Sequence, residues 1–228
     1  MAVKKYMKSS KKRLSKNFTT DEFACKGWDC CEYTEIDKKL VDFLQDIRNF
    51  FNSPVIINSA YRCKTHNKAV GGTEKSRHLS GMAADIKVKG IEPRKVAEFA
   101  EIIGVKGIGL YESNRDGFFV HIDTRENKAF WYGKRQLPRN TFKISSGKYS
   151  FTLPVLPEKG YFQKGDTGVQ VKNMQKFLNF YGGYNLSEDG NFGRLTEKAL
   201  KDFQLKEKLE ADGLFGKKSL IRACEICK

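Results

Sequence analysis

Ile36, Leu40, Phe43, Leu44, Ile47 and Phe50 recur at spacings of three and four along residues 35–51. That is the period of one helix face, so an amphipathic helix is predicted there, stopped by Asn52-Ser53-Pro54. Thr20-Asp21-Glu22-Phe23 predicts an earlier helix start, with Thr or Asp as its cap. Residues 55–61, Val-Ile-Ile-Asn-Ser-Ala-Tyr, predict a buried strand. Residues 64–75 contain Gly71-Gly72 and predict a loop. Strands are predicted over 82–88, 106–111 and 117–123, and a helix over 93–103. Together these elements predict an α+β unit with an antiparallel sheet and flanking helices.

Two of the strands sort their residues by face. In 82–88, Met82, Ala84, Ile86 and Val88 share one side, and Ala83 and Asp85 the other. In 118–123, Phe118, Val120 and Ile122 oppose Phe119, His121 and Asp123. Each strand therefore sets an apolar row against a row that carries ionisable groups.

Residues 143–160 change character, with Ser145-Ser146-Gly147 followed by Pro154-Val155-Leu156-Pro157. They predict an interdomain linker, stiff near its prolines. A shorter unit follows, with an internal echo: Asp189-Gly190-Asn191-Phe192-Gly193 recurs as Asp212-Gly213-Leu214-Phe215-Gly216. Each copy precedes a helical stretch, at 195–205 and 218–224. A third helix is predicted at 169–180, with Val171, Met174, Phe177, Leu178 and Tyr181 as its apolar stripe. The expected organisation is a basic arm at 1–16, a larger domain at 17–144, a linker at 145–160 and a small all-α three-helix domain at 161–228.

Composition narrows the class. The 228 residues are 39% hydrophobic and 12% aromatic, enough for a core and too much for a disordered chain. No apolar run approaches the ~20 residues of a membrane span, so no membrane insertion is expected. Residues 1–16 hold seven Lys/Arg and no acid, and no apolar stretch follows them. This reads as a solvated, partly disordered arm rather than a signal peptide. The net charge is +15, with 30 Lys/Arg against 18 Asp/Glu before residue 161 and 12 against 9 after it. A basic surface attracts polyanions, either nucleic acid or bacterial cell wall, and charge alone does not separate them. The six cysteines read as reduced thiols by default. Cys224 and Cys227 form a C-x-x-C without a second pair nearby. Cys25, Cys30, Cys31 and Cys63 could form a second metal site or a disulfide, the ordinary alternative being buried or free thiols.

The chain has three histidines, and two of them fall in one ordered set: His78, Asp85 and His121. Two imidazoles and a carboxylate are the ligand set of an open, catalytic zinc site. The wider pattern is Ser59-Ala60-Tyr61-Arg62, His66-Asn67-x-x-Val70-Gly71-Gly72, Ser76-x-His78-x-x-Gly81-x-Ala83-x-Asp85 and His121-x-Asp123. It resembles the zinc D-alanyl-D-alanine carboxypeptidase family, which includes phage lytic endopeptidases, over roughly residues 17–130. The resemblance implies that His78, Asp85 and His121 hold Zn2+. It implies that Arg62 stands near the metal, where its guanidinium can stabilise an oxyanion. Ser76 is then a loop support and His66 a structural residue. Some relatives carry a catalytic glutamate three positions before the last zinc histidine, where this chain has Phe118. Asp123 is read as the general base or as a partner orienting an imidazole, with Asp116 and Glu112 as rivals for the base. The C-terminal unit, from Gly165-Asp166-x-Gly168-x-x-Val171 through Gln175, both D-G-x-F-G turns and Phe203-Gln204, resembles a three-helix peptidoglycan-binding domain.

The expectation is a zinc peptidoglycan peptidase of endolysin type with catalytic Arg62 and Asp123. It would be made in a host cytoplasm, act on the wall as a monomer, and have peptidoglycan rather than nucleic acid as partner. A bacterial autolysin or carboxypeptidase, or a non-catalytic wall-binding protein with a structural zinc, is the alternative.

Overall fold

The structure is a computed structural model, and it describes residues 3–113, 117–133, 135–137 and 152–227. The chain divides into two compact units, Met1–Ala100 with Val105–Phe142 and Lys143–Lys228 with Glu101–Gly104. In chain order the first unit contains β1 (Val3–Met7), β2 (Tyr33–Asp37), α1 (Lys38–Phe51), β3 (Val55–Ser59), α2 (Lys64–Ala69), β4 (Ala83–Val88), all but the last two residues of α3 (Pro93–Ile102), β5 (Gly107–Ser113), β6 (Gly117–Asp123), β7 (Ala129–Tyr132) and β8 (Arg135–Leu137). Tight 3-10 turns at Thr20–Phe23 and Arg77–Ser80 complete it.

The basic arm is not the partly disordered segment that its composition predicts. β1 pairs antiparallel with β2, from Val3 opposite Asp37 to Met7 opposite Tyr33. Lys5 lies over the Tyr33 ring at 4.1 Å. Thr20 then ties down the rest of the arm, donating its hydroxyl to Ser10 O at 2.6 Å and accepting from Lys12 N at 3.0 Å. Backbone pairing satisfies groups that would otherwise need water.

α1 starts three residues later than its apolar period suggests, because Tyr33–Asp37 belongs to β2. Asp37 is the N-cap, its carboxylate accepting from Lys39 N at 3.0 Å. Leu40, Phe43, Leu44, Ile47 and Phe50 are buried along one face. At roughly 1.5–3 kcal/mol for each large apolar side chain, this stripe is a main attachment of the helix to the sheet. Phe50 stacks on Phe99 of α3, ring centroids 3.7 Å apart. The segment read as a loop at 64–75 begins with α2, capped by Cys63.

The main sheet has six strands in the order β3-β4-β6-β5-β7-β8. All its pairs are antiparallel except β5 with β7. The sequence pattern did not announce β7 and β8. Ile86, Val120 and Ile122 are buried in the core, as the strand parity of 82–88 and 118–123 predicts, and Ile108 of β5 joins them; Phe118, in the same predicted row, lies near the start of β6 and is 49% exposed.

The second unit holds α4 (Val169–Gly182), α5 (Arg194–Lys206) and α6 (Lys217–Ile226). Its sequence echo is a structural echo built on two buried glutamines. Gln175 donates to Asp189 Oδ1 and Asn191 O, both at 3.0 Å, and accepts from Gly190 N at 2.8 Å. Gln204 repeats this with Asp212 Oδ1 at 2.8 Å, Leu214 O at 3.0 Å and Gly213 N at 3.0 Å. A buried amide is tolerated only when its groups are paired, and here each amide pins one D-G-x-F-G turn to a helix. Phe192 and Phe215, from the two turns, are fully buried, and Phe215 packs against Phe177 at 6.3 Å. The predicted linker lies outside the described residues as far as 151. Its later part is packed: Leu153 is buried, and Val155 N donates to Gln170 of α4 at 2.9 Å.

Candidate metal centre

The register of β4 and β6 places Asp85 directly opposite His121. His78 approaches from the Arg77–Ser80 turn, whose cap Ser76 accepts from His78 N at 3.4 Å. His121 Nδ1 lies 2.9 Å from Asp85 Oδ1 and 3.3 Å from His78 Nε2, and His78 Nε2 lies 3.4 Å from Asp85 Oδ1. Three ligand atoms thus form a small triangle among buried residues. Zinc with bonds of ~2.0–2.1 Å in tetrahedral geometry separates neighbouring ligand atoms by about 3.3 Å. The triangle has that size, so the donor set fits a zinc ion.

The outer nitrogens decide which atoms face the triangle. His78 Nδ1 meets Ala60 O at 2.6 Å, so it carries the proton and leaves the Nε2 lone pair pointing inward. His121 Nε2 meets Asp123 Oδ2 at 3.1 Å and keeps its proton there, so the Nδ1 proton, directed at Asp85 in the metal-free site, is the one that would leave when an ion binds. Burial works to raise the Asp85 carboxyl, but His78 and His121 outweigh it and hold it well below the usual carboxylate range. Burial works to lower His121, but its bonds to Asp123 and Asp85 outweigh that and lift it to about 9.

Asp123 is fully buried, and its carboxylate is already saturated. Besides His121 it accepts from Arg125 N at 3.0 Å, Nε at 2.8 and 3.0 Å, and Nη2 at 2.6 Å. These donors hold it well below the usual carboxylate range against the opposing effect of burial. The Asp123 oxygens are turned to His121 and Arg125, an arrangement that suits the second of its two expected roles, a partner that orients an imidazole. Asp123→Asn should weaken zinc binding by ~10–100-fold, the usual scale for a partner that orients a ligand. Excess zinc should restore most of the turnover. A variant with wild-type zinc affinity and a turnover that zinc does not rescue would return Asp123 to proton transfer.

Arg62 closes the other side of Asp85. Its Nη2 donates to Asp85 Oδ2 at 2.5 Å and its Nε to Ser59 Oγ at 2.8 Å. Its backbone N donates to His78 O at 3.0 Å, so one residue braces two of the three ligands. His66 lies on α2, and its Nδ1 is 3.2 Å from Cys25 Sγ. Phe118 is exposed on the strand face opposite His121. Glu112 is exposed at the cleft, and Asp116 lies outside the described residues.

Sequence reasoning missed the aromatic wall. A cleft of about 870 Å³ runs past the triangle, lined on one side by Tyr111, Phe119 and Trp131. Trp131 Nε1 donates to Tyr111 Oη at 2.5 Å, and the Trp131 ring lies 5.2 Å from that of His121. Two glycines of β5 make this packing possible. A Cβ on Gly109 would come within 2.3 Å of Trp131, and one on Gly107 within 2.1 Å of the Asp123 carboxylate. The alternation Gly107-Ile108-Gly109 inside a strand was the available signal, since glycine there marks a close approach. Lys26, Arg62, Lys75, Arg77 and Arg125 also line the cleft, which suits a substrate carrying carboxylates.

Residues 16–123 match the Peptidase M15 family, and residues 167–220 match a putative peptidoglycan binding domain. The chain is 31% identical over 117 residues to the N-acetylmuramoyl-L-alanine amidase CwlL of Bacillus licheniformis; the match takes in 50% of this chain and 29% of that protein. Among solved structures, the SleB N-terminal domain is 37% identical over 30% of this chain and 93% of its own, with a TM-score of 0.29. A peptidoglycan-binding protein from Clostridioides difficile, in complex with glutamine hydroxamate, is 34% identical over 30% of this chain and 42% of its own, with a TM-score of 0.29.

Proposed function

We propose that this chain, an M15 peptidase domain followed by a peptidoglycan-binding domain, is a zinc-dependent peptidase that hydrolyses peptide bonds of the bacterial cell wall. The observation that carries the reading is the His78–Asp85–His121 triangle, sized for zinc and open to a basic cleft. His78, Asp85 and His121 would hold the ion. When bound, zinc supplies Lewis-acid polarisation of a carbonyl and activation of water near neutral pH.

The remaining roles fall to the chain's own groups. The Ala60 carbonyl and Asp123 fix the tautomers of the two imidazoles, so ligand geometry is set before substrate arrives. Arg62 fixes Asp85 and brings a guanidinium to the cleft, where charge develops on a scissile carbonyl. Trp131 accepts the Arg125 guanidinium over its ring at 4.9 Å and screens the Asp123–Arg125 pair. The cationic wall draws the free carboxylates of wall peptides.

Within this reading the enzyme is a D,D-carboxypeptidase or endopeptidase of endolysin type, acting as a monomer at the wall with no nucleic-acid partner. The order of peptidase and binding domains and the basic charge support it. A bacterial autolysin of the same architecture is the second reading, favoured by the CwlL match. Incubated with purified walls, the protein should release new amino groups and clear the suspension. A zinc chelator should stop this and added zinc should restore it. Clearing that persists in a metal-free protein would overturn the assignment.

A further inference from the structure

Four thiols from two separate stretches of the first unit, the 24–32 loop and the start of α2, converge on one point. Cys25 follows the Thr20–Phe23 turn, Cys30 and Cys31 lie in the loop before β2, and Cys63 caps α2. Their sulfurs all lie within 4.8 Å of one another. Cys25 Sγ is 3.5 Å from Cys30 Sγ, which is 3.8 Å from Cys31 Sγ. A tetrahedral zinc with Zn–S bonds of ~2.3 Å separates its sulfurs by about 3.8 Å.

Backbone donors reach two of the four sulfurs, while burial pushes the Cys30 and Cys31 thiols up, so an ion would have to displace their protons. Cys63 N donates to Cys25 Sγ and His66 N donates to Cys63 Sγ, both at 3.4 Å. The His66 imidazole is a further neighbour of Cys25, at 3.2 Å. Such contacts orient thiolate ligands and offset their charge. The loop also leaves room for the cluster, since a Cβ on Gly27 would come within 2.5 Å of Cys30 Sγ. Between Ala24 and Glu32 the chain has no helix or strand, and its other ties include single hydrogen bonds from Lys8 to Gly27 O and Glu32 O and from Lys26 to Ile57 O.

We infer that Cys25, Cys30, Cys31 and Cys63 form a second, structural zinc site. Soft thiolate donors in tetrahedral array select zinc over the harder divalent ions. The site staples the 24–32 loop to the start of α2. Arg62 is the residue next to Cys63, so the staple also fixes the backbone from which Arg62 reaches Asp85. The inference does not depend on the peptidase reading, because none of these ligands belongs to the His78–Asp85–His121 triangle.

Metal content of the full chain, purified under reducing conditions, tests it. The wild type should hold about two zinc ions, and His121→Ala should keep about one, held by the cysteines. Cobalt loaded into His121→Ala should give the intense thiolate-to-metal absorption of a sulfur-rich tetrahedral site. Cys25→Ser and Cys63→Ser should lose that absorption. Wild-type protein that holds at most one zinc, with a cobalt-loaded His121→Ala free of thiolate absorption, would overturn the inference. So would iron in place of zinc, or the four cysteines recovered as two disulfides. Retention of the cysteine-bound ion in a protein that leaves walls intact would count against the peptidase reading alone.

Discussion

His121→Ala should abolish wall hydrolysis while leaving the fold of both units in place. His121 supplies the Nδ1 corner of the triangle from a strand whose pairing with β4 does not depend on its side chain. Loss of one of three ligands leaves a site too weak to retain zinc at working concentrations. Polarisation by the ion is worth several kcal/mol, so turnover should fall by roughly 10³ or more. His78→Ala should behave alike. Zinc analysis and amino-group release on the same samples check this. A zinc-depleted His121→Ala protein that still digests walls at the wild-type rate would remove the triangle from the chemistry.

Arg62→Lys should lower turnover by ~10²–10³, the cost of losing one donor to a developing oxyanion, with zinc content unchanged. Arg62 uses separate nitrogens for Ser59 and Asp85, and its side chain is only 16% exposed. A lysine keeps the charge but offers a single ammonium, so it cannot bridge those partners and still face the cleft. Loss of zinc together with activity would make Arg62 a brace for Asp85 and nothing more. Wild-type turnover in Arg62→Lys would exclude both roles.

Much of this site was legible in the sequence because its signals are local. Strand parity put Asp85 and His121 opposite their apolar rows, and the spacing of the D-G-x-F-G turns marked the second unit. Register is not local: the alternation of residues does not say that Asp85 would lie across from His121 rather than two residues away. The two expected roles of Asp123, general base or partner to an imidazole, could not be separated for the same reason. Its position two residues from His121 was visible, but Arg125, just beyond the strand, wraps its carboxylate in a way that no periodicity announces. Ile36 fell on the helical period of α1 by coincidence, although pairing with β1 makes it a strand residue. Trp131 reaches the site only through the one parallel pairing in the sheet, between β5 and β7.

Mass spectrometry of the fragments released from purified peptidoglycan tests the central claim most directly. The wild-type protein with zinc should yield muropeptides cut at a peptide bond, with new amino and carboxyl termini, and His121→Ala should yield none. Stem peptides released whole from muramic acid, or fragments cut only between sugars, would contradict a peptidase centred on His78, Asp85 and His121.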